Sequence, residues 1–187
     1  MNKQELRKFY LDRRVRMKET DVYSLSDKIN KRILSILNKK SAKLSIGLFY
    51  PYKNEVNVLT LADKLEKMKF NCLLPKVISK NMPLKYFSYS HRSPKLQKGF
   101  GGIMEPIGNQ SLEPDIIIAS CSAFNIKGYR VGYGGGFFDR TISEISNKKK
   151  IITILAAFEV QKTSIKFQES HDEKVDYICT ENKTYIT

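Results

Sequence analysis

Residues 115–121, built around Ile116-Ile117-Ile118-Ala119, constrain the fold more than any other segment. A strand with one wet face alternates apolar and polar side chains, whereas four consecutive apolar residues describe a strand that is dry on both faces. Such a strand has to be covered twice over, and in a chain of 187 residues helices on either side of a sheet do this most simply. Five other short runs have β-type composition: 43–50, 70–77, 85–89, 151–158 and 175–180. Helical spacing separates several of them. The pattern predicts a single α/β domain over residues 1–187, a three-layer sandwich with a mostly parallel central sheet and helices on both faces. A hydrophobic content of 41% is enough for one well-buried core.

Residues 3–18 are polar, with sparse apolar positions at Leu6, Phe9, Tyr10, Val15 and Met17, and predict a charged helix lying over the surface. Val22, Leu25, Ile29, Ile33, Ile36 and Leu37 then recur every three or four residues, the stripe of a helix packed on the sheet. Asn57 is placed to cap a helix carrying Val58, Leu61, Ala62, Leu65 and Met68. Another helix starts at Phe137, with Phe138, Ile142 and Ile145 inward. Residues 90–102 are loop-rich and basic and read as a mobile flap.

The segment Gly128-Tyr129-Arg130-Val131-Gly132-Tyr133-Gly134-Gly135-Gly136-Phe137-Phe138-Asp139-Arg140 puts four glycines among five residues just before that last helix. Bare amides there can turn inward around an anion, and the helix adds its positive end to the same spot. Two familiar phosphate loops are excluded. A P-loop requires Lys-Ser/Thr where Phe137-Phe138 stand, and G-x-G-x-x-G requires glycine at Phe137 or Asp139. What remains is Arg130, then the glycines, then the carboxylate of Asp139 in the first helical turn, a set suited to a nucleotide with magnesium. The alternative is a surface turn in which Asp139 only complements the helix dipole, worth about 0.3–1 kcal/mol. Against it, glycine costs about 0.5–1 kcal/mol relative to alanine in regular structure, and a plain turn seldom needs four.

In an open α/β sheet, ligands gather beyond the carboxyl ends of strands. The glycine segment and Tyr50-Pro51-Tyr52-Lys53-Asn54-Glu55 both stand in such positions and are expected to face one cleft. Lys3 and Arg7 share a helix face, with Arg14 further along. Like charges at that spacing cost about 0.2–0.5 kcal/mol, a penalty that a bound polyphosphate reverses, although a solvated basic face fits the pattern as well. Glu55 can accept hydrogen bonds from a nitrogen-rich ring or be merely solvated. Asp172, before the last long run, can join Asp139 on a metal or cap a turn. His91 and His171 have no partner at metal-ligand or triad spacing.

The net charge of +14 raises the question of nucleic acid. The 33 basic residues are 25 lysines and 8 arginines scattered along the chain, and the richest run, Lys148-Lys149-Lys150, falls between a helix and a strand. That distribution weakens the nucleic-acid reading, and small anionic substrates would also benefit from the field. No apolar run approaches the roughly 20 residues of a membrane span, and the first residues lack a signal peptide's hydrophobic stretch, so a cytoplasmic location is expected. Cys72, Cys121 and Cys179 are odd in number and far apart, as expected of reduced structural thiols.

The ordered motifs together resemble the 5-formyltetrahydrofolate cyclo-ligase (methenyltetrahydrofolate synthetase) family nearly end to end. The strongest match is the stretch from Phe124 to Arg140. Support comes from Lys3-x-x-Leu6-Arg7, Tyr50-Pro51 with Glu55, Leu74-Pro75-Lys76, Gly102-Ile103-Met104-Glu105-Pro106, and His171-Asp172 with Asp176. The resemblance implies closure of 5-formyltetrahydrofolate to 5,10-methenyltetrahydrofolate driven by ATP, with magnesium as cofactor. It further implies that Lys3, Arg7, Arg130, Val131, Gly132, Tyr133, Gly134, Gly135, Gly136, Phe137 and Phe138 hold ATP, and that Asp139 and Asp172 act on the metal. Tyr50, Glu55 and Tyr133 would take the folate, and Arg130 and Tyr133 would stand nearest the chemistry. The implied partners are ATP and reduced folate, with or without a polyglutamate tail, bound by a monomer without nucleic acid or membrane. Two departures stand out: Asn125, where the family usually has aspartate, and Phe137-Phe138, where it usually has two tyrosines.

Overall fold

A computed structural model describes residues 1–41 and 43–187. Eleven strands and four α-helices are described. The strands are β1 (Ser45–Gly47), β2 (Asn71–Lys76), β3 (Lys85–Ser88), β4 (Leu96–Lys98), β5 (Met104–Pro106), β6 (Ile116–Ala119), β7 (Ala123–Phe124), β8 (Arg130–Val131), β9 (Ile152–Ala156), β10 (Tyr177–Cys179) and β11 (Thr184–Ile186). The helices are α1 (Lys3–Val15), α2 (Glu19–Leu37), α3 (Ala62–Lys67) and α4 (Phe137–Ser146). Seven strands form one sheet in the order β11-β10-β9-β6-β1-β2-β3. The inner five run parallel, and β11 and β3 close the two edges antiparallel.

Why both faces are dry follows from the alternation of side chains along each strand. Ile116 and Ile118 of β6 join Ile46, Cys72, Leu74, Ile154 and Ala156 in a core closed by Ile29, Ile33 and Leu37 of α2 and Ala62 and Leu65 of α3. Ile117 points the other way, onto Ile142 and Ile145 of α4. The three-layer α/β sandwich with a mostly parallel sheet is therefore the observed fold.

Each of the six sequence-predicted strands is present and shorter than its apolar run. The first run begins pairing only at Ser45, because Lys43 turns with a φ of +75°. The sequence signal misses β4, β5, β7, β8 and β11, which have only two or three residues each and show no readable period. Within 90–102, expected to be a flap, β4 pairs antiparallel with β5. Glu105 pins this hairpin: its Oε1 accepts the N–H groups of Val77 at 3.0 Å and Phe100 at 3.3 Å.

Two helix expectations need correction. Asn57 precedes a 3-10 turn, Val58–Leu61, and makes no side-chain cap. Its backbone is held instead by α2, whose Ser26 hydroxyl accepts the Asn57 N–H and whose Asn30 amide donates to the Asn57 carbonyl. Helix α1 is also more than a surface helix. A capping box of Asn2 and Glu5 starts it. Leu6, Tyr10 and Arg14, four residues apart, form a buried stripe against β7, β8 and Phe167.

Candidate functional site

From β1 the chain crosses to β2 on one side of the sheet, and the next parallel strand, β6, lies on the other side. This reversal splays the two outgoing connections apart and leaves a crevice beyond their carboxyl ends. A cleft of about 580 Å³ opens there. Its walls come from Phe49 to Glu55 after β1, Ser120 after β6, Pro75 and Val77 of the β2 end, the β4–β5 hairpin, and the glycine loop leading into α4. The two segments expected to converge thus share one cavity. A larger, more open hollow of about 770 Å³ lies elsewhere, between α2 and β11, and contains none of the expected site residues.

The glycine loop enters the cleft between β8 and α4. Gly134 and Gly136 have φ values of +104° and +62°, a backbone that side chains with a Cβ adopt only under strain. Gly136 is the N-cap of α4, and no side chain caps that helix. The first-turn amides are thus open to an acceptor from outside. Arg7 secures the loop from behind, with Nε donating to the Gly132 carbonyl at 2.7 Å. Tyr50, Glu55, Arg130, Gly132, Tyr133, Gly134, Gly135, Gly136, Phe137, Phe138 and Asp139 all line the cleft.

Val131 does not. Its side chain is buried with Leu6 and Tyr10, and its carbonyl accepts the Ser122 N–H at 2.7 Å, which fixes the base of the loop. Lys3, Arg7 and Asp172 also stand outside the lining. Lys3 Nζ donates to Asp172 Oδ1 at 2.7 Å and to Glu169 Oε2 at 3.0 Å. Burial opposes the Lys3 charge, but Asp172 and then Glu169 outweigh it and hold the ammonium above the usual lysine range. Asp172 Oδ2 accepts the Glu169 N–H at 2.8 Å, so the residue also caps a turn.

Arg130 is buried and joins two parts of the site. Its Nη2 donates to Asp139 Oδ1 at 3.0 Å, its Nη1 to the Glu173 carbonyl at 2.9 Å, and its guanidinium lies over the Phe138 ring. Asp139 Oδ1 also accepts the Glu173 N–H at 3.1 Å, so both contacts fall on one carboxylate oxygen. No group of three or more His, Cys, Asp or Glu residues suited to a metal occurs among the described residues.

At the folate-expected end, Glu55 is 5% exposed. Oε2 accepts the Tyr52 N–H at 2.9 Å, while Oε1 is buried and has no hydrogen-bond partner among the described residues. Burial pushes this carboxyl up; the Arg14 guanidinium, at 4.0 Å, opposes the shift most, followed by the Ser120 hydroxyl, the Tyr52 N–H and the Tyr133 hydroxyl, of which only the Tyr52 N–H makes a hydrogen bond of ordinary geometry. A buried acceptor without a donor costs about 1–3 kcal/mol, and a ligand N–H removes that cost. Tyr133 stands across the cleft, its hydroxyl donating to the Tyr52 carbonyl at 3.3 Å and accepting from Arg14. Burial and then Glu55 push its phenol up, which keeps the proton in place.

The structure accounts for one departure from the family pattern. Asn125 Oδ1 accepts the N–H groups of Lys127 and Tyr129, which builds the turn before β8. An amide oxygen does this as an aspartate would. Phe138 packs against several core clusters, whereas Phe137 meets Phe100 edge to face at 5.7 Å on the cleft wall. Sequence reasoning missed Tyr52, Ser120 and the contacts of Arg14 with Tyr52, Cys121 and Tyr133. For Arg14 a signal existed: it continues the buried stripe of Leu6 and Tyr10.

The model of the 5-formyltetrahydrofolate cyclo-ligase family matches residues 1–181. A 5-formyltetrahydrofolate cyclo-ligase of Haemophilus influenzae is 31% identical over 141 residues, 72% of this chain and 73% of that one. One from Mycoplasma pneumoniae is 27% identical over 160 residues, 85% and 88% of the two chains. Among solved structures, 5,10-methenyltetrahydrofolate synthetase of Aquifex aeolicus superposes with a TM-score of 0.81 at 28% identity, over 98% of this chain and 92% of that one. The Mycoplasma pneumoniae synthetase gives 0.77 at 24% identity, over 97% and 99%, a likeness of fold.

Proposed function

The chain belongs to the 5-formyltetrahydrofolate cyclo-ligase family, and on that premise we propose that it closes 5-formyltetrahydrofolate to 5,10-methenyltetrahydrofolate at the expense of ATP. The observation that carries this reading is Glu55 Oε1, buried without a hydrogen-bond donor in a cleft that also receives an uncapped helix start and a glycine loop. One end of the cleft suits a ring rich in N–H groups, and the other suits phosphate.

The chemistry needs those two ends together. The formyl oxygen on N5 attacks the γ-phosphorus and ADP leaves, giving an activated formyl phosphate. N10 then attacks the formyl carbon, the C–O bond breaks with phosphate as leaving group, and the N10 proton is lost. Without phosphorylation the departing oxygen would be a poor leaving group. The protein supplies position and charge rather than a nucleophile.

In this reading the amides from Gly132 to Phe138 and the Arg130 guanidinium hold the phosphates, with Lys3 and Arg7 approaching from α1. Lys3 must exchange Asp172 for phosphate as it does so. Asp139, whose Oδ2 is the oxygen left free by Arg130 and Glu173, and Asp172 would hold magnesium, which would offset the charge of the phosphates. Glu55 orients the pterin ring through its N–H groups, Tyr50 packs beside it, and Tyr133 stands where the two substrates meet. A cytoplasmic monomer acting on these small molecules completes the proposal. Among the described residues, no helix is long and apolar enough to cross a membrane.

The test is to mix the chain with magnesium-ATP and 5-formyltetrahydrofolate and follow methenyl absorbance together with ADP. Equal amounts of the two products are expected. ADP release that ignores the folate, or no methenyl product, would reject the reading.

A further inference from the structure

We infer that Arg14 is a positioning residue for the folate half of the reaction, fixing the loop after β1 and the Tyr133 side chain against each other so that Glu55 and Tyr133 form one preformed surface. This rests on the function proposed above and goes beyond it, because neither the glycine signature nor the phosphate cations include Arg14.

Its contacts carry the case. Arg14 is 1% exposed, yet it makes no hydrogen bond to any carboxylate; Glu55 Oε1 stays 4.0 Å away. The donors go instead to three separate segments of the site. Nε donates to the Lys53 carbonyl at 3.0 Å and Nη2 to the Tyr52 carbonyl at 3.5 Å, both in the loop after β1. Nη1 donates to the Cys121 carbonyl at 2.6 Å, just beyond β6. Nη2 also donates to the Tyr133 hydroxyl in the glycine loop, and the guanidinium lies 5.6 Å from the centre of that ring. One planar fork thus ties together the two strand ends that bound the crevice and the loop that closes it.

Stability alone does not explain the residue. Arg14 continues the apolar stripe of Leu6 and Tyr10, where a leucine or methionine would satisfy packing, and a buried cation without a hydrogen-bonded anion is costly. The arrangement makes sense if the charge is directed at what Glu55 must do. Tyr133 faces Glu55 from the glycine loop, Ser120 from beyond β6, and the Tyr52 N–H from its own loop. The neighbouring Cys121 thiol, pushed up to about 12 by burial, stays neutral. Arg14 supplies the positive charge that favours the carboxylate while leaving Oε1 for the ring.

Position on the helix gives a second argument. Lys3 and Arg7 occupy the first half of α1, and Arg14 lies about 10 Å further along. The same rigid helix therefore serves the nucleotide end with one half and the folate end with the other, so their defects separate by substrate.

The experiment compares Arg14→Lys, Arg14→Met and Arg7→Met with the unaltered chain, measuring KM for each substrate, kcat, the pH profile and the melting curve. Lysine keeps the charge but cannot reach three segments at once. Arg14→Lys is expected to lower kcat/KM for the folate by about 10- to 100-fold, with the KM for ATP changed by less than about threefold. Arg7→Met should show the opposite split. In Arg14→Met the acid limb of the pH profile should move to higher pH, because Glu55 loses the charge that opposes its protonation, whereas Arg14→Lys leaves the limb in place. If Arg14→Met does not fold, the lysine variant decides alone. An active unaltered chain with Arg14→Lys kinetics equal to it, or with both substrates affected alike in step with lost folded protein, overturns the inference while leaving the proposed function intact. An unaltered chain without turnover overturns that function and this inference with it.

Discussion

Replacing Glu55 by glutamine alters one atom of the side chain and reverses what it offers the ligand. Glu55 Oε2 accepts the Tyr52 N–H at 2.9 Å, and a glutamine carbonyl can keep that bond. The amide NH2 then occupies the place of Oε1, the buried atom without a donor. Ring N–H groups would meet a donor instead of a charged acceptor. A hydrogen bond to a charged group contributes about 1.5–3 kcal/mol, so kcat/KM for 5-formyltetrahydrofolate should fall by about 10- to 150-fold, with the KM for ATP little changed. The same variant has a stability signature. Burial pushes the Glu55 carboxyl up more than Arg14 brings it down, so the folded state holds this proton more tightly than the unfolded chain. Stability of the unaltered protein therefore falls as pH rises from the ordinary glutamate range through the folded-state value, and Glu55→Gln lacks that slope. Melting curves across this window should show the variant gaining on the parent as pH rises. Methenyl formation at saturating ATP and varied folate is the primary assay, and an unchanged kcat/KM for the folate would refute the role given to Glu55.

Asp139→Asn should raise the magnesium requirement and cut turnover; because buried Arg130 loses its counter-charge, it should also lower the melting temperature, and unchanged magnesium dependence would remove Asp139 from the metal site. Restoring tyrosine at both Phe137 and Phe138 should raise turnover by less than about 150-fold, since each neutral hydrogen bond contributes at most about 1.5 kcal/mol; a gain of several hundredfold in a steady-state assay would contradict that. Gly128→Ala forces a side chain onto a φ of +96° and sets Cβ 2.9 Å from the Val175 carbonyl oxygen. A loss of about 2 kcal/mol or more is expected in urea unfolding, and an unshifted midpoint would show that the turn relaxes freely.

How legible the protein was depends on how local each determinant is. Ile116 to Ala119 declares its two dry faces in four letters, and the stripe from Val22 to Leu37 declares a helix, because burial imposes a period on neighbouring residues. The glycines from 132 to 136, followed by a helix start, announce a loop of open amides for the same reason: backbone geometry and amide direction are set within a few residues. The hairpin of β4 and β5 carries no such period, and its pairing depends on Glu105 reaching the amides of Val77 and Phe100. Asn57 shows the reverse failure. A good capping residue by sequence, its backbone is held by Ser26 and Asn30 of a different helix, while its side chain caps nothing.

The chain by itself therefore determined the layers, the mostly parallel sheet and the glycine loop that enters the cleft, since each follows from periodicity or from contiguous backbone. Only the tertiary structure decided that the crevice lies between β1 and β6, that Glu55 Oε1 is buried without a hydrogen-bond donor, that Val131 faces inward, and that Arg14 turns away from Lys3 and Arg7 to join Tyr52, Cys121 and Tyr133. Those facts depend on groups up to 119 residues apart meeting at one point, and a guanidinium's partners are set by where three loops end rather than by the residues beside it.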